Sequence, residues 1–148
     1  MRAIDTNVLV RLIARDDARQ TAAAEAFVAK GAWVSVLALA GAVWVLASVY
    51  DVNPEDQARA VEMLLDHRQL VLHEQESVTA ALSLFRSKPS LGFSDCLMIQ
   101  LARRAGHLPL GTFDRNLGRS TASRSSRLVA AGIRRAIDLR LMHSDWRE

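Results

Sequence analysis

The chain has 148 residues and a mass of 16.3 kDa, which suits one domain with a single hydrophobic core. Half of its residues are hydrophobic and 24% are charged, so the composition excludes a disordered chain, and no apolar run is long enough to cross a bilayer. The net charge of +3 originates in residues 119–148, which hold seven arginines against three acidic residues. The opening residues show no signal-peptide pattern, so we expect a cytoplasmic protein.

Hydrophobic periodicity predicts alternating strands and helices. In chain order, the predicted elements are a strand at residues 2–4, helices at 7–14 and 17–30, a strand at 32–36, helices at 37–50 and 54–67, a strand at 70–73, helices at 76–86 and 95–105, and a strand at 108–112. The apolar helix at 37–50 is expected to pack in a core or against a partner subunit. This alternation predicts an α/β fold, with a parallel sheet covered by helices on both faces.

Three aspartates stand where an apolar run gives way to a helical pattern: Asp5, Asp95 and Asp114. If those runs are parallel strands, the three carboxylates emerge at the carboxyl edge of one sheet, where such folds place their sites. One aspartate at one helix start needs no function, because aspartate is a favoured helix cap. Three on one edge would repel one another, and a divalent cation would relieve that repulsion. The pattern therefore leaves two interpretations open, a metal site and a set of helix caps.

Four segments also carry a resemblance to a known family: DTNVLVRLI from Asp5, SVLALA leading into VWVL from Ser35, FSDCLMIQLARRAG from Phe93 and LPLGTFDRNLG from Leu108. In this order and spacing, residues 1–118 resemble a PIN-domain nuclease, in particular the VapC-type toxins of bacterial toxin–antitoxin pairs. The resemblance implies a single PIN-like domain with about five parallel strands flanked by helices. It also implies acidic residues that bind Mg²⁺ or Mn²⁺ and hydrolyse RNA, leaving 5′-phosphate and 3′-hydroxyl ends.

By position, the implied catalytic residues are Asp5, Asp95 and Asp114. Asp5 and Asp95 are the first choices as metal ligands, and Asp114 is a third carboxylate that acts through water. The neighbouring candidates for substrate binding, for which capping and turn formation are the alternative roles, are Thr6, Asn7, Thr112 and Arg115.

Gly41 is a departure from the resembled pattern, because relatives usually carry a glutamate at that position. A glycine inside a helix costs about 1 kcal/mol relative to alanine, so nothing local favours it. Our hypothesis is that Gly41 leaves the metal site incomplete. The predicted function is a metal-dependent endoribonuclease toxin weakened at position 41. The alternative is a catalytically deficient PIN fold that binds an antitoxin or RNA without cutting it.

The resemblance implies three partners: a cognate VapB-type antitoxin, an RNA substrate such as a tRNA or ribosomal RNA loop, and a second copy in a homodimer. No membrane partner is expected. Residues 119–148 match no pattern of the family and are predicted to form a separate basic tail. Within that tail, residues 128–133 have the composition of an edge strand and residues 133–142 that of a short basic helix.

Overall fold

Seven helices and three short strands alternate along residues 1–121, the part of the chain that the computed structural model describes. The strands are β1 (Arg2–Ile4), β2 (Ala32–Val34) and β3 (Leu70–Leu72). The helices are α1 (Thr6–Ala14), α2 (Ala18–Val28), α3 (Val36–Ser48), α4 (Pro54–Asp66), α5 (Gln75–Ser87), α6 (Phe93–Arg104) and α7 (Arg115–Thr121), with a 3₁₀ turn at Pro89–Leu91 before α6. The α/β fold class is confirmed.

Short polar side chains fix where the first four helices begin. Each accepts a hydrogen bond, 2.8–3.0 Å long, from the backbone N–H three residues further on, and these caps are Asp5, Asp17, Ser35 and Asn53. Such a cap satisfies an N–H group that has no partner within the helix. Pro54 occupies the first turn of α4, where its missing N–H costs nothing.

The three strands form one parallel sheet in the order β1-β2-β3. Ile4, Val34 and Leu72 are paired across the sheet and buried, so the helices cover that face. The opposite face carries the row Ala3, Trp33 and Val71, in which Ala3 is exposed and Val71 is 46% exposed. The helices of residues 1–121 therefore cover the face of Ile4, Val34 and Leu72 more completely than the face of Ala3 and Val71.

One contiguous core joins the covered face of the sheet to the helices. Its largest fully buried side chains include Phe85 of α5, Leu9 of α1 and Leu39 of α3. Helices α5 and α6 pack closely, and the rings of Phe85 and Phe93 meet edge to face with centroids 6.0 Å apart. Within residues 1–121, every helix is too short or too polar to span a membrane.

The predicted strand at residues 108–112 is wrong, because this segment is irregular in the structure. Pro109 has no backbone N–H to donate to a neighbouring strand, and Gly111 weakens any strand by its conformational freedom. The described sheet consequently has three strands rather than about five. The predicted strand at 128–133 and helix at 133–142 lie outside the described residues.

Candidate active site

Asp5 lies where the sequence predicted it, directly after β1 at the carboxyl end of the strand. The side chain is exposed, and its Oδ1 accepts a hydrogen bond from the N–H of Val8 at 3.0 Å. Capping α1 uses only one carboxylate oxygen. The other oxygen, Oδ2, accepts no hydrogen bond from the described residues, so this part of the chain gives it no structural role.

Thr6, the first residue of α1, makes a contact that the sequence did not predict. Its hydroxyl donates to the backbone carbonyl of Ala38 in α3, with 3.1 Å between the oxygens. A Cβ added at Gly41 would lie only 2.6 Å from the Thr6 Oγ1. Position 41 therefore adjoins the residue next to Asp5, and the hypothesis of a missing carboxylate at position 41 stays a prediction.

Asp95 is the third residue of α6 and is partly buried. Burial raises the pKa of its carboxyl, and the negative charge of Asp114 raises it further. The second effect shows that the two carboxylates are close enough to repel each other. The thiol of neighbouring Cys96 is fully buried, which raises its pKa to about 11 and keeps it neutral.

Asp114 caps the short helix α7. Its Oδ1 accepts hydrogen bonds from the N–H groups of Asn116 at 2.8 Å and Leu117 at 3.2 Å. Its own N–H donates to the hydroxyl of Thr112 at 3.0 Å, so that hydroxyl is already engaged in shaping the turn. Arg115 is exposed, and its guanidinium has no hydrogen-bond or ion-pair partner among residues 1–121.

The structure brings Asp95 and Asp114 together, but it does not join Asp5 to them as clearly. Asp5 makes no hydrogen bond with either residue in the described chain, and its charge is not among the causes that raise the pKa of Asp95. No group of three or more His, Cys, Asp or Glu side chains in residues 1–121 is arranged to hold a metal ion. The premise that all three aspartates follow strands was wrong, because only Asp5 does.

The donors that are present still suit a hard cation. Mg²⁺ usually keeps several waters and needs only one or two carboxylates from the protein. Asp95 and Asp114 form such a pair, and the capping role of Asp114 occupies Oδ1 while leaving Oδ2 without a hydrogen bond from the described residues. The chemistry of this pair therefore fits Mg²⁺ or Mn²⁺.

A second group of charged residues lies beside α5, and it does not include any of the predicted site residues. Arg104 bridges Glu74 at 2.9 Å and Glu76 at 2.6 Å, and the three residues line a cleft of about 790 Å³. Because the charges of this cleft are paired with one another, it offers a weaker case for ligand binding than the Asp95–Asp114 pair.

The outward face of α3 is apolar and exposed. Leu37 is 80% exposed and Trp44 is 64% exposed, and no charged residue occurs between positions 36 and 48. Of the two environments expected for this helix, Trp44 therefore does not occupy the core, and contact with a partner subunit remains a prediction. Exposed apolar surface of this kind is typical of interaction sites.

Comparison with known proteins gives one match. No curated protein and no solved structure matches the chain. Residues 3–121, which make up most of the chain and contain all three aspartates, match the family described as the PIN domain. This range includes β2, β3, every described helix and all of β1 except Arg2, and the parallel α/β architecture is consistent with it. The chain belongs to the PIN domain family, whose fold is of the nuclease type.

Proposed function

We propose that the protein is an endoribonuclease that uses Mg²⁺ or Mn²⁺ and acts as the toxin of a toxin–antitoxin pair. The observation that carries this proposal is the repulsion between Asp95 and Asp114 in a chain of the PIN domain family. Keeping two carboxylates this close is unfavourable unless a cation or proton compensates for their charge. A bound divalent cation is the compensation that a nuclease would use.

As the family resemblance implies, Asp5 and Asp95 are the proposed metal ligands, with Asp114 as a third carboxylate that acts through water. The effect of the Asp114 charge on Asp95 supports the Asp95–Asp114 part of this set, whereas the placement of Asp5 in it rests on the resemblance. When bound, the metal would supply a water of lowered pKa and would neutralise charge on the phosphodiester. The capping hydrogen bonds of Asp5 and Asp114 hold their carboxylates in fixed orientations.

The proposed substrate contacts fall into two classes. The hydroxyls of Thr6 and Thr112 take part in internal hydrogen bonds, which supports a role in holding the site rather than in binding RNA. Asn7 and Arg115 are exposed, and neither side chain makes a hydrogen bond with another described residue. Arg115, beside Asp114, is the better candidate for a phosphate contact, because a guanidinium can donate two parallel hydrogen bonds to phosphate.

The proposed partners are a VapB-type antitoxin and a second copy of the chain. Leu37 and Trp44 on the outward face of α3 supply the apolar anchors that either partner could cover. A cationic side chain from the antitoxin would compensate for the charge of Asp95 and Asp114 in the inhibited state. A cytoplasmic location is proposed for the pair, together with a tRNA or ribosomal RNA loop as the target.

Cleavage of labelled RNA tests the proposed function. The chain, Asp5→Asn, Asp95→Asn and Gly41→Glu are each incubated with a panel of structured RNAs in Mg²⁺ or Mn²⁺, and with a chelator. We expect cleavage that the chelator abolishes and that Asp95→Asn lowers by about 100-fold, the upper end of the loss found when a metal-site partner is removed. Asp66→Asn is the matched control and should cleave normally, because Asp66 precedes β3 at the opposite edge of the sheet.

Gly41→Glu separates a weakened nuclease from a binding module. A faster Gly41→Glu enzyme would support the hypothesis that position 41 limits this site, whereas a slower one would show that the close approach of Thr6 makes glycine necessary there. Absence of cleavage by every version, together with absence of metal binding, would contradict the nuclease and favour a protein that binds an antitoxin or RNA without cutting.

A further inference from the structure

The space beside Gly41 is already occupied by another residue. In the middle of α3, the glycine faces α1, and a Cβ at this position would lie 2.6 Å from the Oγ1 and 3.5 Å from the Cγ2 of Thr6. Real Cβ atoms do not approach an oxygen that closely, so any side chain at position 41 would displace the Thr6 hydroxyl. The close approach of α1 thus gives a physical reason for glycine, which is otherwise a poor residue for a helix interior.

The Thr6 hydroxyl, which such a side chain would displace, already makes a hydrogen bond to another helix. The Thr6 hydroxyl donates to the carbonyl of Ala38, three residues before Gly41, and this hydrogen bond joins the first residue of α1 to the first turn of α3. The contact is partly buried, so water competes with it less than on an open surface. Threonine also has a restricted side-chain torsion, which limits the hydroxyl to a small number of orientations.

This hydrogen bond lies one residue from Asp5. The only hydrogen bond that the Asp5 carboxylate makes in the described chain is the one from the N–H of Val8. Thr6 therefore connects the exposed end of α1, including its capping carboxylate, to a helix whose Ala38 and Leu39 are buried in the core.

We propose that Thr6 is a positioning residue for Asp5, and that Gly41 is required because it leaves room for the Thr6–Ala38 hydrogen bond. In this chain, a cross-helix hydrogen bond occupies the place where a side chain at position 41 would stand. The inference rests on the proposed function only for its effect on metal binding. The coupling between positions 6, 38 and 41 concerns the fold and is independent of any metal.

The test uses Thr6→Val, which keeps the shape but removes the hydroxyl, and Thr6→Ser, which keeps the hydroxyl. Hydrogen exchange of the Val8 amide reports on the Asp5 cap, and Mn²⁺ alone is titrated to obtain its dissociation constant. We expect Thr6→Val to accelerate Val8 exchange and to weaken Mn²⁺ binding, each by about two- to tenfold, the equivalent of one net hydrogen bond. Thr6→Ser should behave like the parent chain.

A second set of variants tests the coupling with position 41. Gly41→Ala should accelerate Val8 exchange as Thr6→Val does, because its Cβ displaces the hydroxyl. Added to Thr6→Ala, where no hydroxyl remains, Gly41→Ala should have no further effect. The matched control is Thr79→Val in α5, which removes a threonine hydroxyl that donates to a backbone carbonyl within its own helix at 2.9 Å.

Two results would overturn the inference. Val8 exchange in Thr6→Val that matches exchange in Thr79→Val would show that the hydroxyl does not hold the Asp5 cap. Faster exchange with an unchanged Mn²⁺ dissociation constant would show that the contact is structural and does not position a metal ligand. If the parent chain binds no Mn²⁺ while Val8 exchange responds as expected, the coupling stands and the proposed function fails.

Discussion

Asp5 and Asp114 both cap the helix that follows them, but the segments leading into them differ. Asp5 follows a strand that is paired with β2, and its neighbour Thr6 is bonded to α3. Asp114 follows an irregular segment in which Phe113 is 56% exposed. The two aspartates thus make similar capping hydrogen bonds, but Asp5 is preceded by a strand of the sheet and Asp114 by an irregular segment.

The segments that hold Asp95 and Asp114 also differ in how they are packed. Burial raises the pKa of Asp95, and the negative charge of Asp114 adds to that effect. Asp114 follows an irregular segment and caps the short helix α7, in which Leu117 is buried, whereas Asp95 is on α6, whose first residue Phe93 is buried in the core. We therefore expect substitutions in α6 to affect stability, substitution of Asp5 to affect helix capping, and substitution of Asp114 to affect the protonation of Asp95.

The largest expected effect is the loss of stability on changing Phe93→Ala. Phe93 is 2% exposed and packs edge to face against Phe85, so its removal should cost about 3–5 kcal/mol of unfolding free energy. Urea denaturation measures this cost. The control is Phe113→Ala on the irregular segment, which should change stability by no more than about 0.5 kcal/mol. Equal losses of unfolding free energy in the two variants would show that Phe113 is as well packed as Phe93.

The contrast between the two regions also explains what the sequence predicted and what it missed. Six helices and three strands followed from hydrophobic periodicity and from caps such as Asn53, because these signals are local. Asp5 was placed correctly because the strand before it ends at a capping aspartate. The segment at 108–112 was mistaken for a strand because its leucines suggested one, while Pro109 and Gly111 opposed it.

Tertiary contacts account for the other differences. The Thr6–Ala38 hydrogen bond joins residues 32 positions apart and leaves no local signal in the sequence. The helix at 37–50 was expected to pack in a core or against a partner, and periodicity alone does not say which side of an uncharged helix faces the core. The proximity of Asp95 and Asp114 was predicted, although the reason given for it was wrong: Asp95 follows a 3₁₀ turn and not a strand.

The second prediction separates the capping role of Asp5 from its charge. Asp5→Ala removes the acceptor for the Val8 N–H and should cost about 1 kcal/mol of unfolding free energy. Asp5→Asn keeps an acceptor oxygen and should cost only a few tenths. Urea denaturation measures both changes, and RNA cleavage should fall in both variants. Asp17→Ala removes the equivalent cap of α2, so it should show the same stability loss with normal cleavage.

The smallest expected effect is a change in protonation at Asp95. In the metal-free protein, Asp114→Asn removes the charge that raises the pKa of Asp95 but leaves its burial unchanged. The pKa should therefore fall part of the way towards its ordinary value, since burial is the larger cause. A carboxyl-carbon NMR titration of Asp95 measures this shift. The amide that Asp114→Asn introduces still offers an oxygen to cap α7, so the helix itself should remain intact.

The effect on stability has a definite sign. Because the pKa of Asp95 is higher in the folded protein than in the unfolded chain, the folded protein binds its proton more readily. Proton binding by Asp95 therefore stabilises the fold at pH values below its pKa in the unfolded chain. This stabilisation is lost as the pH rises through its higher pKa in the folded protein. Because Asp114→Asn lowers the pKa of Asp95 in the folded protein, this stabilisation should be lost at a lower pH in the variant than in the parent chain. If the Asp95 pKa does not move, Asp114 does not act on Asp95, and the pair that supports the proposed metal site is absent from the folded protein.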